Sequence, residues 1–257
     1  MGVLNVTPDS FSDGGQFATP EAAIEAGLRM ASEGADIVDV GGESTRPGAP
    51  EVAIEEELRR VLPVVSALAS RGVKVSVDTS KAEVASKALA GGAAIVNDVT
   101  ALGDPSMACE CAAAGCTVCL MHMKGTPRTM QREPLYEDVT AEVRDFLLAR
   151  ADYASSRGIK KENIWIDPGI GFGKTPEHNL QLIRDLRVLV KTSYPVLLGV
   201  SRKSLIGRLT GGAPVEDRLE GTLAIQSWAQ IQGVSIIRAH DVKAARRTID
   251  VLSAFAR

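Results

Sequence analysis

Residues 73–99 read VKVSVDTSKAEVASKALAGGAAIVNDV and contain the repeating unit of this chain. Two runs rich in valine and isoleucine, at residues 73–77 and 94–97, flank a segment of helical periodicity at residues 80–90. The runs are almost continuously apolar, which favours parallel strands covered on both faces. Glycines follow the helical segment, as is typical of a helix that ends shortly before a strand. The stretch therefore predicts a strand–helix–strand unit.

The same alternation extends along the whole chain. Strands are predicted at residues 2–6, 36–40, 73–77, 94–97, 116–121, 163–166, 196–200 and 235–238. Helices are predicted at residues 20–33, 51–70, 80–90, 105–114, 138–156, 176–191, 215–231 and 242–256. Eight strands and eight helices in strict order, with no linker between them, predict one α/β domain over residues 1–257.

The connections differ in length according to their direction. Turns from helix to strand are short, and six of them carry a glycine expected to end the helix: Gly34, Gly72, Gly91, Gly115, Gly158 and Gly233. Four turns from strand to helix are long, at residues 7–19, 41–50, 122–137 and 201–214. This asymmetry predicts a (β/α)₈ TIM barrel with its active site at the C-terminal face of the strands. A doubly wound open sheet is the alternative, although no G-x-G-x-x-G fingerprint follows the first strand.

Composition narrows the class of protein. The 257 residues are 45% hydrophobic and 24% charged, as in soluble globular domains. A net charge of -3 gives no general electrostatic case for binding nucleic acid. There is no apolar run of about 18 residues, the length that a transmembrane helix needs. Because the opening MGVLNVTPDS also lacks the basic and apolar regions of a signal peptide, we expect a cytoplasmic protein with no membrane partner.

The four cysteines lie within eleven residues, at Cys109, Cys111, Cys116 and Cys119. Their spacing differs from that of two separated C-x-x-C metal knuckles. On a helix or a strand, these offsets direct the side chains to different faces. We therefore expect four small, buried, reduced side chains, with a metal site as the disfavoured alternative.

Residues capable of binding a ligand stand where the predicted strands end. They are Asn5, Asp39, Asp78, Asn97, Met121 with His122, Asp167, Ser201 with Arg202 and Lys203, and Arg238 with His240. Carboxylates gathered at a barrel mouth are costly to bury unless something binds them. The set predicts a small ligand that carries N–H donors. Helix capping is the structural alternative for Asp78 and Asn97.

Cationic side chains and oxygen ligands that suit hard metal ions occur on the strand-to-helix connections of the predicted barrel. The cations Arg46, Lys203, Arg238 and His240 favour a bound phosphate group, with a surface ion pair as the alternative for Arg46 and Arg238. The segment NVTPDSFSDGG supplies Asn5, Asp9 and Asp13, which suit Mg²⁺ held partly by substrate phosphates. Together these residues predict a diphosphate and metal site.

The segment IDPGIGFGKT, residues 166–175, resembles a phosphate-binding P-loop. A P-loop needs a glycine five positions before Gly173, where this chain has Pro168. A nucleotide hydrolase is therefore disfavoured. The glycines instead predict close approach of the backbone to a flat ligand, with Phe172 available for stacking.

Eight motifs together resemble the bacterial dihydropteroate synthases of the pterin-binding family. They are NVTPDSFSDGG, DVGGESTRPGA, VSVDTSK, VNDVTAL, LMHMKGTP, DPGIGFGKT, GVSRKS and IRAHDVK. The resemblance implies a (β/α)₈ barrel and a C–N bond-forming transferase of folate biosynthesis. Its substrates would be 6-hydroxymethyl-7,8-dihydropterin diphosphate and 4-aminobenzoate, and its products 7,8-dihydropteroate and diphosphate. The sequence departs from the family pattern in two places: the first predicted strand begins at Gly2, where many members have a preceding leader, and Thr100 stands where some members have arginine or another large residue.

The resemblance assigns site residues by position. Pterin-binding positions are Asp78, Asn97, Val99, Met121, Asp167, Phe172, Gly199 and Lys203. Diphosphate positions are Asn5, Thr45, Arg238 and His240, and the Mg²⁺ ligands are Asn5 and Asp13. The 4-aminobenzoate positions are Phe11, Arg46, Pro47, Lys203 and Ser204. Catalytic roles fall to Asn5, Asp78, Lys203, Arg238 and His240. Without the resemblance, Met121 and Phe172 would equally suit core positions.

The implied mechanism is dissociative, so that diphosphate leaves before the aromatic amine attacks. The resemblance further implies a homodimer and competition by sulfonamides at the 4-aminobenzoate site. Three alternatives remain at this stage: a corrinoid-dependent methyltransferase that uses a similar barrel, a non-catalytic pterin-binding protein and a generic phosphate-binding barrel. The joint presence of STRPG, SRKS and the diphosphate cations favours the synthase.

Overall fold

Eight strands alternate with helices along the chain. The computed structural model describes residues 1–7, 19–46, 48–126, 129–130 and 134–255. The strands are β1 Gly2–Asn5, β2 Val38–Gly41, β3 Val75–Asp78, β4 Ile95–Asp98, β5 Thr117–Met121, β6 Ile164–Asp167, β7 Leu197–Gly199 and β8 Ile236–Arg238. The helices are α1 Pro20–Ser32, α2 Ile54–Ala69, α3 Ala82–Ala90, α4 Met107–Ala114, α5 Val139–Ser156, α6 Pro176–Arg184, α7 Leu186–Val190, α8 Ser204–Leu209, α9 Leu219–Gln232 and α10 Val242–Phe255. Among the described residues, no helix combines the length and the apolar character needed to cross a membrane.

The strands form a closed ring. Strands β1 to β6 pair in chain order, β7 pairs with β8, and all of these pairs are parallel. Parallel bridges from Ile166 to Val196 and from Gly2 to Ala239 join the two sheets at both edges. At the second junction, the N–H of Val3 donates to the carbonyl of Ala239 at 3.0 Å. A doubly wound sheet would keep two open edges, so the ring agrees with the predicted barrel and not with the alternative.

Helix α2 shows how the sequence directs a helix onto this ring. Its residues Val61, Val64, Val65 and Leu68 follow the spacing of one helical face, and each is fully buried in the core. Acidic residues occupy the first turn, where they complement the positive end of the helix dipole. Burying one valine or leucine side chain stabilises the fold by about 1.5–3 kcal/mol. The face of α2 that packs on the strands therefore accounts for much of its stability.

Several helices differ from their predicted boundaries. The predicted helix 176–191 is two helices, α6 and α7, which meet at Asp185. The Thr140 hydroxyl of α5 donates to the Asp185 carboxylate at 2.8 Å, and this tertiary contact holds the break. The predicted loop 201–214 contains α8, and α9 begins only at Leu219, after a 3₁₀ turn. Such differences arise because contacts with other elements decide where a helix stops.

The glycine expected to close α3 was assigned one position too early. Gly91 has φ of -79°, which any residue adopts, whereas Gly92 has φ of 103°. A Cβ atom at position 92 would lie 2.7 Å from the Cβ of Ala69. Gly92 is therefore the residue at which both conformation and space exclude a side chain.

The cysteine prediction is confirmed for three of the four residues. Cys111, Cys116 and Cys119 are buried, and all four cysteines are free thiols. Cys109 is exposed, and its sulfur lies 3.1 Å from Arg157 Nη2, so the expectation that it is buried was wrong. Within the described ranges, no cluster of three or more His, Cys, Asp or Glu residues could hold a metal ion.

We expect Gly92→Ala to destabilise the fold by about 1–2 kcal/mol, because alanine in the left-handed region is strained. Gly91→Ala, the neighbouring control, should cost less, since its backbone conformation suits alanine and the Ser66 hydroxyl, 3.0 Å from an added Cβ atom, can rotate away. Urea unfolding of the two variants measures the difference. Equal costs would contradict the assignment of the left-handed, glycine-requiring position to Gly92.

Candidate active site

The carboxyl ends of the strands bring distant polar residues to one end of the ring. Along the paired strands, Asn5 lies opposite Gly41, Gly41 opposite Asp78, and Asp78 opposite Asn97. A Cβ atom at Gly41 would lie 3.6 Å from the Asn5 amide oxygen and 3.7 Å from Asp78 Oδ2. Since this position carries glycine, no side chain from β2 stands between the two oxygens at this point. Parallel closure of the ring explains why residues so far apart in the chain meet here.

Arg238, the last residue of β8, is the centre of this cluster. Its Nε donates to Asp39 Oδ2 at 2.6 Å, and its Nη2 donates to Asp78 Oδ2 at 2.7 Å. The arginine side chain is only 21% exposed. Burial opposes its charge, but Asp39 and Asp78 outweigh that effect and raise the pKa of Arg238. Arg238 is thus a buried cation with two site carboxylates, and a surface ion pair is excluded.

Asp39 joins the cluster from inside the ring. It is fully buried, and its Oδ2 also accepts a hydrogen bond from the Asn97 amide at 3.0 Å. Its other oxygen, Oδ1, has no hydrogen-bond partner in the described part of the chain. The pattern of strand ends predicts Asp39 as one of several ligand-binding candidates but gives it no individual role. A carboxylate within the apolar run IVDV, residues 37–40, was the signal that could have identified it.

Asp39 and Asp78 share the single positive charge of Arg238. This charge does not fully offset the effect of burial on the Asp78 carboxyl. Burial raises the pKa of Asp78 to about 7, with Arg238 opposing the shift and Asp39 adding to it. A group that titrates near neutrality in a buried cluster is typical of a functional site. The helix-capping alternative fails for Asp78, because the N–H of Ala82 at the start of α3 donates to Asp104. It fails for Asn97 as well, because the next helix, α4, begins only at Met107 and its N-cap residue is Ser106.

A second group of site residues follows β6 and β7. Lys203 Nζ donates to the carbonyl of Ile170 and lies 4.6 Å from the centre of the Phe172 ring. Burial lowers the pKa of Lys203 to about 8, against the effect of Asp167. Burial likewise raises the pKa of Asp167, against the effect of Lys203. This part of the site offers a carboxylate, an ammonium group and an aromatic face close together.

Lys174 supports the turn that carries Phe172. It is buried, and its Nζ donates to the carbonyls of Gly169 at 3.0 Å and Phe172 at 2.9 Å. The same Nζ lies 2.9 Å from His122 Nδ1, and burial together with Lys174 lowers the pKa of His122 to about 3, so the ring accepts this bond. Gly169, with φ of 65°, has no room for a Cβ atom, which would lie 2.0 Å from the His122 carbonyl oxygen. The lysine of the GKT sequence therefore folds back on its own turn, which excludes the P-loop interpretation.

The remaining predicted residues take up different places. His240 donates its backbone N–H to the Ser201 hydroxyl at 3.1 Å, and its Nδ1 lies 3.0 Å from the same oxygen. Val99 and Met121 are buried, and Phe172 and Gly199 are half-buried. Thr45 is half-buried, Arg46 is exposed on the loop after β2, and Ser204 is exposed at the start of α8. Phe11, Asp13 and Pro47 lie outside the described residues.

Asp78→Asn should change how stability depends on pH. The unfolded carboxyl has a pKa of 3.8 and the folded one about 7, so between these values only the folded protein keeps the proton. The stability of the wild type relative to the variant should therefore fall by roughly 1–4 kcal/mol as the pH rises from 4 to 7. Urea unfolding at several pH values measures this difference, with the exposed Asp152→Asn as control. A pH-independent difference between wild type and Asp78→Asn would show that burial does not raise this pKa.

Comparison with known proteins places this geometry in a family. The sequence pattern of the family described as pterin binding enzyme matches residues 1–240. Dihydropteroate synthase of Escherichia coli is 49% identical over 255 residues, which cover 99% of this chain and 90% of that protein. A Yersinia pestis dihydropteroate synthase solved with a sulfonamide drug is 45% identical, with a TM-score of 0.96 over 100% of this chain and 93% of the other. A Xanthomonas albilineans dihydropteroate synthase solved with 4-aminobenzoic acid is 47% identical, with a TM-score of 0.93 over 100% of this chain and 92% of the other. The chain therefore belongs to the pterin-binding enzymes and, within them, to the dihydropteroate synthase family.

Proposed function

We propose that this protein condenses 6-hydroxymethyl-7,8-dihydropterin diphosphate with 4-aminobenzoate, giving 7,8-dihydropteroate and diphosphate. The observation that carries the proposal is the Arg238 guanidinium between Asp39 and Asp78, at the end of a ring of parallel strands. The carboxylates can accept hydrogen bonds from the N–H groups of a pterin, and the guanidinium beside them can bind a diphosphate. Family membership with transferases of this kind supports the same reaction.

The pterin ring is held by Asp78, Asn97, Asp167 and Lys203. Their carboxylate and amide oxygens accept from the 2-amino group and the ring N–H groups, and an analogue without those donors would leave buried oxygens unpaired. Burial raises the pKa values of Asp78 and Asp167, and an N–H donor from the pterin would stabilise the charged form of each carboxylate. The bound pterin is lined by Val99, Met121, Phe172 and Gly199.

The diphosphate is bound by Asn5, Thr45, Arg238 and His240. Asn5 ends β1 with its amide oxygen beside Gly41, and an amide oxygen is a hard ligand that suits Mg²⁺. Asn5 and Asp13 would hold Mg²⁺ together with the diphosphate oxygens. The ion would supply charge neutralisation to the leaving group.

In the chemical step, the C–O bond to the diphosphate breaks first and its electron pair leaves with the diphosphate. Arg238 and His240 stabilise the charge that grows on the leaving oxygens. Asp78 and Asp167 hold the ring and stabilise the resulting pterin cation. The amine nitrogen of 4-aminobenzoate then forms the C–N bond and releases a proton.

The second substrate binds on the outer side of the pterin, at Phe11, Arg46, Pro47, Lys203 and Ser204. Water must be kept from this place during the reaction, because it would otherwise trap the cation. One relative was solved with 4-aminobenzoic acid and another with a sulfonamide drug, which supports binding of both compounds by this protein. Sulfonamides would therefore compete with 4-aminobenzoate in this protein.

We further propose that residues 1–257 act as one domain and pair as a homodimer in the cytoplasm. Four exposed apolar side chains on the packed helices α9 and α10 support pairing: Trp228, Ile231, Val251 and Phe255. Four free thiols support a reducing compartment.

The purified protein with Mg²⁺ should release diphosphate only when both substrates are present. Release with either substrate alone, or pterin binding without turnover, would favour the phosphate-binding or non-catalytic alternatives.

Lys203→Ala should lose about a hundredfold in kcat/KM, because it removes the ammonium group between the two substrates. Lys191→Ala, at an exposed lysine outside the site, is the matched control. Full activity in Lys203→Ala would contradict the assigned role.

Ile231→Glu combined with Val251→Glu should convert the dimer into a monomer, because the charges would be buried in an apolar interface. Sedimentation equilibrium measures the mass in solution. Leu135→Glu changes another exposed apolar residue, away from α9 and α10, and should leave the mass unchanged. A dimer that survives the double substitution would place the interface elsewhere.

A further inference from the structure

A second group of buried charges lies beside the active site, at the root of the loop between β2 and α2. Lys81 Nζ donates to Glu43 and, at 2.6 Å, to Glu57 Oε2. Glu43 belongs to the loop, Glu57 to α2, and Lys81 immediately precedes α3. The side chains are 22%, 0% and 15% exposed respectively, so water screens these charges weakly. None of the three residues takes part in the proposed reaction.

The loop root, residues 42 and 43, is held by a second cation and by tight packing. Arg60 Nη1 donates to the carbonyl of Gly42 at 2.8 Å. A Cβ atom at Gly42 would lie 2.7 Å from Val61 Cγ1, so this segment rests directly on α2. Beyond Glu43 the chain leaves this support, and Arg46 is exposed. The contacts of Glu43 therefore lie at the boundary between a clamped root and an exposed loop.

Glu57 is costly for the fold, which indicates that its position serves another purpose. Its Oε1 is buried without a hydrogen-bond partner among the described residues. A buried ion pair is often no more stabilising than apolar side chains of the same size. Lys81 also follows Asp78 by only three residues, on the same connection after β3. The triad thus ties the loop that carries Thr45 and Arg46 to the strand that carries Asp78.

We propose that Glu43, Lys81 and Glu57 are positioning residues that hold the β2–α2 loop where it binds the aromatic amine substrate. This inference rests on the proposed function, since it assigns the triad to the 4-aminobenzoate half of that site. Glu43 is the loop member of the triad, and the contact between Lys81 and Glu57 persists without it. Removing the Glu43 carboxylate releases the loop without leaving a buried lysine unpaired.

Glu43→Ala should raise the KM for 4-aminobenzoate about tenfold, the size expected for one charged hydrogen bond. The KM for the pterin diphosphate should change less than about twofold, because Asp78 and Arg238 keep their contacts. Lys81→Arg, which keeps the charge and the donors, should stay near wild type. Glu51→Ala, at an exposed glutamate of the same loop, is the matched control.

Hydrogen–deuterium exchange gives a readout that does not depend on activity. Amides of residues 43–46 should exchange faster in Glu43→Ala than in wild type or Glu51→Ala. An equal rise of both KM values, unchanged KM values or unchanged exchange would each overturn the inference. Absence of turnover in the wild type would instead refute the proposed reaction, while the exchange measurement would still test the clamp.

Discussion

The structure depends on one charged contact that crosses the ring. Arg238 at the end of the last strand binds Asp39 of β2 and Asp78 of β3, residues that precede it by 199 and 160 positions. The contact exists only because the ring closes between β8 and β1. It also connects fold to chemistry, since buried carboxylates become useful acceptors only where a cation keeps them charged. Asn97, which donates to Asp39, extends the same network to β4.

The site has an electrostatic division that matches the proposed reaction. Asp39, Asp78 and Asp167 supply acceptors deep in the ring, whereas Lys203 and Arg238 supply the cations. Burial pushes the pKa values of Asp78 and Lys203 towards neutrality from opposite sides. A ligand with N–H donors at one end and an anion at the other would relieve both effects. The proposed site for the second substrate includes the loop between β2 and α2, and the clamp at Glu43 lies at the start of that loop.

Sequence patterns predicted the order of the elements well because each strand and helix follows local rules. The strands lie within two residues of their predicted positions, and the strand–helix alternation predicted the ring. Patterns failed where a tertiary contact decides the outcome. Asp185 interrupts a continuous helical pattern because Thr140 of another helix bonds it. Gly92 rather than Gly91 takes the left-handed conformation after α3, at a place where a Cβ atom would clash with Ala69.

The sequence by itself determined the alternation of elements and the polar residues at the strand ends, because periodicity and turn chemistry are local properties. It also determined the family, since eight motifs occur in one order. Only the tertiary structure decided which polar groups pair. Asp39 emerged as the partner of Arg238, Lys174 as the support of a turn and Lys81 as a clamp on a loop. The physical reason is that pairing depends on distance and burial, and both are set when strands far apart in the chain close into a ring.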